Sequence, residues 1–295
     1  MAEIRIDASL CKTCGSCVLA CCRGVFVQDE KSTVPRVTTP EMCFGCGQCV
    51  AVCPQGAVSH SLYPEGTVTP VQREKLPDYD GVLELIRSRR SRRRFRDKPV
   101  EREVVEKVLD AARFAPSGHN EQATEFVVIR DPGVLQEIGS ITAKGLSRQA
   151  MPFKYAIGRA IMRFMMDARG VEYVAELAPE MAGLATMYDE GTDLILNEAP
   201  ALVLFCADSA GGNFANVGAN LGLQNAYLAA EALGLGCFYA GFVVLVSDRD
   251  DSIAKLVGVP ETHKIYGALA MGYPRVTFRN WPEREPMRVT WVGAD

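Results

Sequence analysis

The first residues that could do chemistry are cysteines. Cys11, Cys14, Cys17 and Cys21 read C-x2-C-x2-C-x3-C, and Cys43, Cys46, Cys49 and Cys53 repeat the pattern, with Pro54 after the last. Three thiolates so spaced close around one iron–sulfur cube, while the fourth lies too far along the chain and ligates the other. The spacing therefore predicts two [4Fe–4S] clusters in crossed assignment. Cys11, Cys14, Cys17 and Cys53 hold one, and Cys43, Cys46, Cys49 and Cys21 hold the other. Zinc sites favour two pairs over two quartets, and a disulfide framework needs an oxidising compartment that nothing else here indicates. Cys22 stands where a proline would end the first run, so Cys21 and Cys22 both fit as ligand. The x3 spacing favours Cys21.

These thiols need a small scaffold. Ile4 to Ile6 starts a short strand, each cysteine run opens a helical turn, and Ala57 to Ser59 returns as the partner strand. Gly15, Gly24, Gly45 and Gly47 let the backbone bend close to the cubes and aim N–H groups at sulfur. Over about sixty residues the chain resembles the bacterial two-cluster ferredoxins. Residues 61–79 then carry Pro64, Gly66, Pro70 and Pro77 with few apolar residues in register, which reads as a linker.

At 295 residues with 48% hydrophobic residues, the chain has room for two domains and a sizeable core. No signal-peptide pattern opens it and no run is apolar enough to span a membrane. A reducing cytoplasm, such as that of an anaerobe, suits thiolate-bound iron. Cys206 and Cys237 sit in apolar runs and read as small buried thiols. The formal charge of -4 becomes more negative by roughly two for each oxidised cube with its thiolates, so nucleic acid is not an expected partner.

A second cluster of chemistry begins near residue 87. The run Arg87-Ser-Arg-Arg-Ser-Arg-Arg-Arg-Phe-Arg-Asp-Lys98 is bracketed by predicted helices at 81–88, with Val82, Leu83 and Ile86 on one face, and at 101–113, with Val104, Val105, Val108, Leu109 and Ala112. Guanidinium forks beside a hydroxyl suit a phosphate monoester, because Arg binds it bidentately and stays charged when desolvated. The loop Ala115-Pro-Ser-Gly-His-Asn-Glu-Gln122 follows and leads into a strand from Glu125.

Here the chain resembles the FMN-dependent nitroreductase family, in which an R-x-S-x-R run precedes a helix ending A-P-S-x-x-N-x-Q and a strand. The likeness continues through Asn197 to Ala207, Leu223 to Gly236 and Ala268 to Pro274. It implies that Arg89, Arg90, Ser91 and Arg93 hold the FMN phosphate and ribityl chain, joined by Arg284. Asn120 faces the flavin ring, Pro116 and Ser117 shape the loop beside it, and the turn Tyr239-Ala240-Gly241-Phe242 offers backbone N–H groups to flavin N5 and O4. A fixed N–H aimed at N5 tunes its potential, and a small residue such as Gly241 permits the approach. Gly234-x-Gly236 is not a dinucleotide fingerprint, since it follows a helix and lacks the third glycine.

Many family members continue Q-P-W after the asparagine, whereas this chain has Gln122-Ala-Thr124, so its substrate-facing side departs from the pattern. The insertion from about 145 to 193 is rich in Met (151, 162, 165, 166, 181, 187) and Tyr (155, 173, 188), which suits helices packed into a subunit interface and is compatible with a lid. His60, His119 and His263 share no metal spacing; His119, in the flavin-facing loop, is a candidate proton donor or a solvated loop residue.

The expected fold is α+β. A two-cluster ferredoxin-like domain (1–60) and a linker (61–79) precede a nitroreductase-like FMN domain (80–295). That domain has a mixed sheet, with strands near 125, 201, 238 and 266, flanked by helices. Family members are intertwined homodimers, and Met287 to Val292 alternates like a strand that crosses to the partner. The resemblance implies an oxidoreductase that takes electrons from reduced ferredoxin or another low-potential donor, through the clusters to FMN and on to a nitroaromatic, quinone or activated alkene. A pure electron-transfer protein, or a same-fold reductive dehalogenase, is the alternative.

Overall fold

The computed structural model describes residues 2–164 and 167–293; Met165 and Met166 of the methionine-rich insertion lie outside them. Contacts divide the chain into two units, 1–76 with 117–122, and 77–116 with 123–295.

In the first unit β1 (Ile4–Ile6) precedes α1 (Ser16–Ala20), the hairpin β2 (Phe26–Val27) and β3 (Arg36–Val37), α2 (Gln48–Val52) and β4 (Val58–His60). β1 and β4 pair antiparallel from Ile4↔His60 to Ile6↔Val58. The strand partnership expected from Ile4–Ile6 forms, with its second member displaced by one residue to include His60. α1 and α2 each start from a glycine in the left-handed region, Gly15 at φ 70° and Gly47 at φ 75°, a conformation that a Cβ disfavours. Ile4, Val25, Phe26, Val50 and Val58 form a small core with Cys17 and Cys49.

The second unit begins with α3 (Tyr79–Ser88), whose N-terminus is capped by Asp78 Oδ1 accepting from Gly81 N at 2.8 Å. Next come α4 (Arg102–Arg113), β5 (Glu125–Ile129), α5 (Pro132–Lys154), α6 (Ala156–Met162), α7 (Ala168–Asp189), β6 (Ala201–Asp208) and α8 (Gly212–Ala232). β7 (Gly236–Tyr239), α9 (Gly241–Ser247), α10 (Ser252–Val257) and β8 (His263–Gly272) complete it.

The sheet order is β5-β6-β8-β7. All three ladders are antiparallel, so the four strands do not form the mixed sheet expected; the parallel Ser91↔Cys237 pairing is an isolated bridge outside these ladders. β6 is buried on both faces, so it reads as a continuous apolar run, and its alternate residues serve two cores. Leu202, Leu204 and Cys206 face the one built with α5, α7 and α9. Ala201, Val203 and Phe205 face the one built with α4 and α8.

Two other expectations differ. Val82 and Ile86 of α3 are exposed, so the apolar face read from their spacing is not covered within one chain. Met287 to Val292 forms no strand, because no strand edge of the same chain pairs with it.

Candidate functional site

The thiols of the first unit fall into the crossed sets. Burial pushes the Cys17 thiol up, and the charges that add to this come from Cys11 and Cys53. Cys49 is pushed up to about 11, again chiefly by burial, and its charged neighbours are Cys46, Cys43 and Cys21. The fourth cysteine of each run therefore lies with the other run's thiols. A small cavity is lined by Cys11, Cys14, Cys17 and Cys53 with Pro54. Cys21 packs against the unit's small core, whereas Cys22 is exposed. No three His, Cys, Asp or Glu groups among the described residues converge closely enough for a single metal ion. Cys11, Cys14, Cys17 and Cys53 around one cavity are the all-thiolate donor set that a [4Fe–4S] cube takes.

Donors already point at these sulfurs. Thr13 N lies 3.4 Å from Cys11 Sγ, Gly45 N 3.3 Å from Cys43 Sγ and Ala57 N 3.2 Å from Cys53 Sγ. Two side chains join them: Ser16 Oγ is 3.3 Å from Cys14 Sγ, and His60 Nε2 is 3.4 Å from Cys43 Sγ. His60 is buried, which holds its imidazole below the usual histidine range. The cysteine spacing could not reveal this histidine; its place as the partner of Ile4 on β4 could have suggested it.

Ser117 and Asn120 belong to the first unit as well. Ser117 Oγ accepts from Gln122 N at 3.0 Å. The Asn120 amide donates to Gly45 O at 2.8 Å and meets Tyr63 Oη at 3.3 Å. His119 packs edge-on against Phe44. Here His119, Asn120 and Gln122 all take left-handed backbone, with φ of 50°, 56° and 50°. Pro116, the last residue before this segment, is exposed.

In the second unit the basic run lies beside β7. Arg92 N donates to Cys237 O at 3.0 Å, next to the Ser91↔Cys237 bridge. Tyr227 of α8 ties the two together, with its hydroxyl 2.9 Å from Cys237 O and 3.2 Å from Ser91 Oγ. The Arg89 guanidinium stacks 4.5 Å above the Tyr227 ring, and its Nε is buried with no hydrogen-bond partner. A buried cationic donor left unsatisfied beside a hydroxyl is the feature that an anion would complete.

Arg92 Nε is likewise buried without a partner, but its Nη2 is 2.5 Å from Glu231 Oε1 and both side chains are only 12% exposed. Arg93 lies 5.3 Å over Phe238, and Arg90 is half-buried. The structure thus brings Ser91 to Cys237 and Arg93 to Phe238 of β7, with Arg89 joined to them through Tyr227; the strand ends at Tyr239, one residue before the buried Ala240. A Cβ on Gly241 would come within 2.8 Å of the Tyr239 ring, so that ring fills the space glycine leaves. Tyr239 also borders a groove of about 650 Å³ lined by Asn216, Asn220, Lys264 and Tyr266.

Arg284 is in the exposed C-terminal tail, where its own N–H bonds Glu283. The tail instead lays Phe278 against Arg92 and Trp281 against Arg87. Tyr227 and Glu231 escaped the sequence reading. They are four residues apart on one helix face, a spacing that would have paired them had α8 not looked like plain core.

Comparison with known proteins follows the same two parts. Residues 10–58 match a 4Fe-4S dicluster domain, and residues 86–273 match the nitroreductase family. A provisionally named NADH dehydrogenase/NAD(P)H nitroreductase of Methanothermobacter thermautotrophicus is 26% identical over 65% of this chain and 77% of its own. A Pseudomonas Cr(VI) reductase is 24% identical over 65% and 66%. Among solved structures, an FMN-bound nitroreductase from Desulfitobacterium hafniense superimposes with a TM-score of 0.52 at 21% identity, over 72% of this chain and 97% of that one. The chain belongs to the nitroreductase family and carries a ferredoxin-like 4Fe-4S domain ahead of the family fold.

Proposed function

We propose that this protein is an iron–sulfur flavoprotein oxidoreductase. It takes electrons from reduced ferredoxin or an equivalent low-potential donor into two [4Fe–4S] clusters, and delivers them through FMN to an organic acceptor such as a nitroaromatic, quinone or activated alkene. The carrying observation is the crossed grouping of the thiols in a chain of the nitroreductase family. Cubes exchange single electrons and a flavin exchanges one or two, so joining them converts one currency into the other.

The chain's own residues divide the work. Cys11, Cys14, Cys17 and Cys53 bind one cube, and Cys43, Cys46, Cys49 and Cys21 the other. Arg89, with the hydroxyl of Ser91, takes the FMN phosphate, and its stacking on Tyr227 fixes the guanidinium plane. Arg90 and Arg93 extend the positive field along the run. The Ala240 N–H bonds Ala268 O at 2.8 Å, so of the expected pair Gly241, the first residue of α9, offers its backbone N–H to the flavin edge, and the groove bordered by Tyr239 receives the acceptor. The protein works as a homodimer in a reducing cytoplasm; no helix among the described residues is long and apolar enough to cross a membrane.

Stopped-flow reduction tests the route, comparing the wild type with a Cys14→Ser, Cys46→Ser variant that retains FMN. With reduced ferredoxin, cluster bleaching precedes or accompanies flavin bleaching in the wild type, and the variant loses this route. If NADPH reduces the flavin at the turnover rate, and the variant turns over as fast as the wild type, the clusters are not the entry path.

A further inference from the structure

The two cysteine runs repeat each other, so their differences are informative. In the first, the loop Cys11-Lys-Thr-Cys14 is closed by Gln28, whose Nε2 donates to Thr13 O at 3.0 Å. No imidazole approaches Cys11 among the described contacts; its sulfur meets Thr13 N. In the second, the loop Cys43-Phe-Gly-Cys46 is closed by Tyr63, whose hydroxyl donates to Gly45 O at 2.6 Å, and by Asn120 on the same oxygen at 2.8 Å. Behind this closure sits His60, only 3% exposed.

The ring's tautomer follows from its partners. Nδ1 accepts the N–H of Leu62 at 3.1 Å, so the proton of the neutral ring is on Nε2, which lies 3.4 Å from Cys43 Sγ. The ring is held edge-on to Tyr63, centroids 5.4 Å apart, and its backbone is fixed by pairing with Ile4. Two N–H donors, Gly45 N and His60 Nε2, therefore converge on one thiolate sulfur, and the tie of Tyr63 and Asn120 to Gly45 O keeps the first of them in place.

We propose that His60 is a potential-setting residue for the cube held by Cys43, Cys46, Cys49 and Cys21, donating Nε2–H to the Cys43 sulfur and thereby favouring the reduced cluster. The inference rests on the iron–sulfur reading above. Each electron added to a cube places more negative charge on its sulfurs, and a donor fixed on one of them stabilises that added charge. Asn120 and Tyr63 act as positioning residues, through Gly45, on the same sulfur. The cube on Cys11 lacks the imidazole and takes a serine hydroxyl on Cys14 in its place.

The experiment is an anaerobic potentiometric titration of the full-length holoprotein followed by EPR, with iron and sulfide measured on each sample. His60→Leu shifts one cluster's midpoint to more negative potential and leaves the other in place. Losing one such donor by about tenfold in the reduced-to-oxidised ratio corresponds to ~59 mV for a one-electron couple. His60→Gln, which keeps an N–H donor, recovers part of the shift. Ser16→Ala moves the other cluster. Pulsed EPR on wild-type protein labelled with ¹⁵N-histidine needs no substitution, and shows coupling of a histidine nitrogen to one reduced cluster. Absence of that coupling, or equal movement of both midpoints or of neither at full iron and sulfide content, overturns the proposal. Wild-type protein without iron and sulfide overturns instead the iron–sulfur reading itself.

Discussion

Arg89 and Arg92 stand three residues apart in the same basic run and differ in their partners. Each has a buried Nε without a partner, but Arg92 closes onto Glu231 through its Nη2 whereas Arg89 stacks on Tyr227. Arg89→Ala removes a charge-assisted contact worth on the order of 1.5 to 3 kcal/mol and weakens FMN retention about tenfold or more, read by flavin fluorescence after dialysis. Arg92→Ala acts on folding, because it strands a carboxylate in the interior at a cost of about 3 kcal/mol. Burial raises the Glu231 carboxyl above its usual range, and the Arg92 charge beside it opposes that rise. Without Arg92 the folded carboxyl rises further, so the folded state binds more protons than the unfolded state and stability falls as pH rises. The loss in Arg92→Ala is therefore greater at pH 8 than at pH 5, measured by urea unfolding at both. Read from sequence, Arg89, Arg90, Ser91 and Arg93 sit at the phosphate and Arg92 has no role, because the partner that defines it lies 139 residues away.

At the scale of elements, most of the fold was legible from period and punctuation. Strands β5 to β8 announced themselves by apolar runs, and α4 by Val105, Val108 and Ala112 on one buried face. The segment 117–122 was not legible in the same way. Its asparagine looks like a flavin contact by motif, yet its amide bonds Gly45, 75 residues distant, and no local pattern encodes so remote a partner. The alternation of Met287, Val289 and Trp291, with Val292 following, shows the converse, a strand signal with no edge of the same chain to satisfy it. All four are exposed, Trp291 at 85%, which suits an element that pairs with a second copy. Sedimentation of the intact protein should give about twice the 32.1 kDa chain mass. Ending the chain after Pro286 should shift it to the monomer, and an unchanged dimer would assign the contact to other elements.

At the scale of the molecule, the two units have very different internal resources. The second buries two apolar cores on either face of its sheet. The first has a handful of aliphatic residues, two five-residue helices without side-chain caps, and strands of two or three residues. Chains this short rarely hold together on apolar burial alone, and bound metal supplies the deficit. Air is then a selective denaturant. Oxidative loss of the cubes should unravel residues 1–76 while the nitroreductase fold persists. Limited trypsin digestion would show it, with cuts N-terminal to Pro77 after air exposure and protection under anaerobic conditions. Equal resistance in both would mean that this small core suffices without metal. The buried Cys17 and Cys49 thus connect the protein's lifetime to the oxygen history of its cell, since each cluster lost exposes a stretch of chain to proteases while the flavin half remains intact.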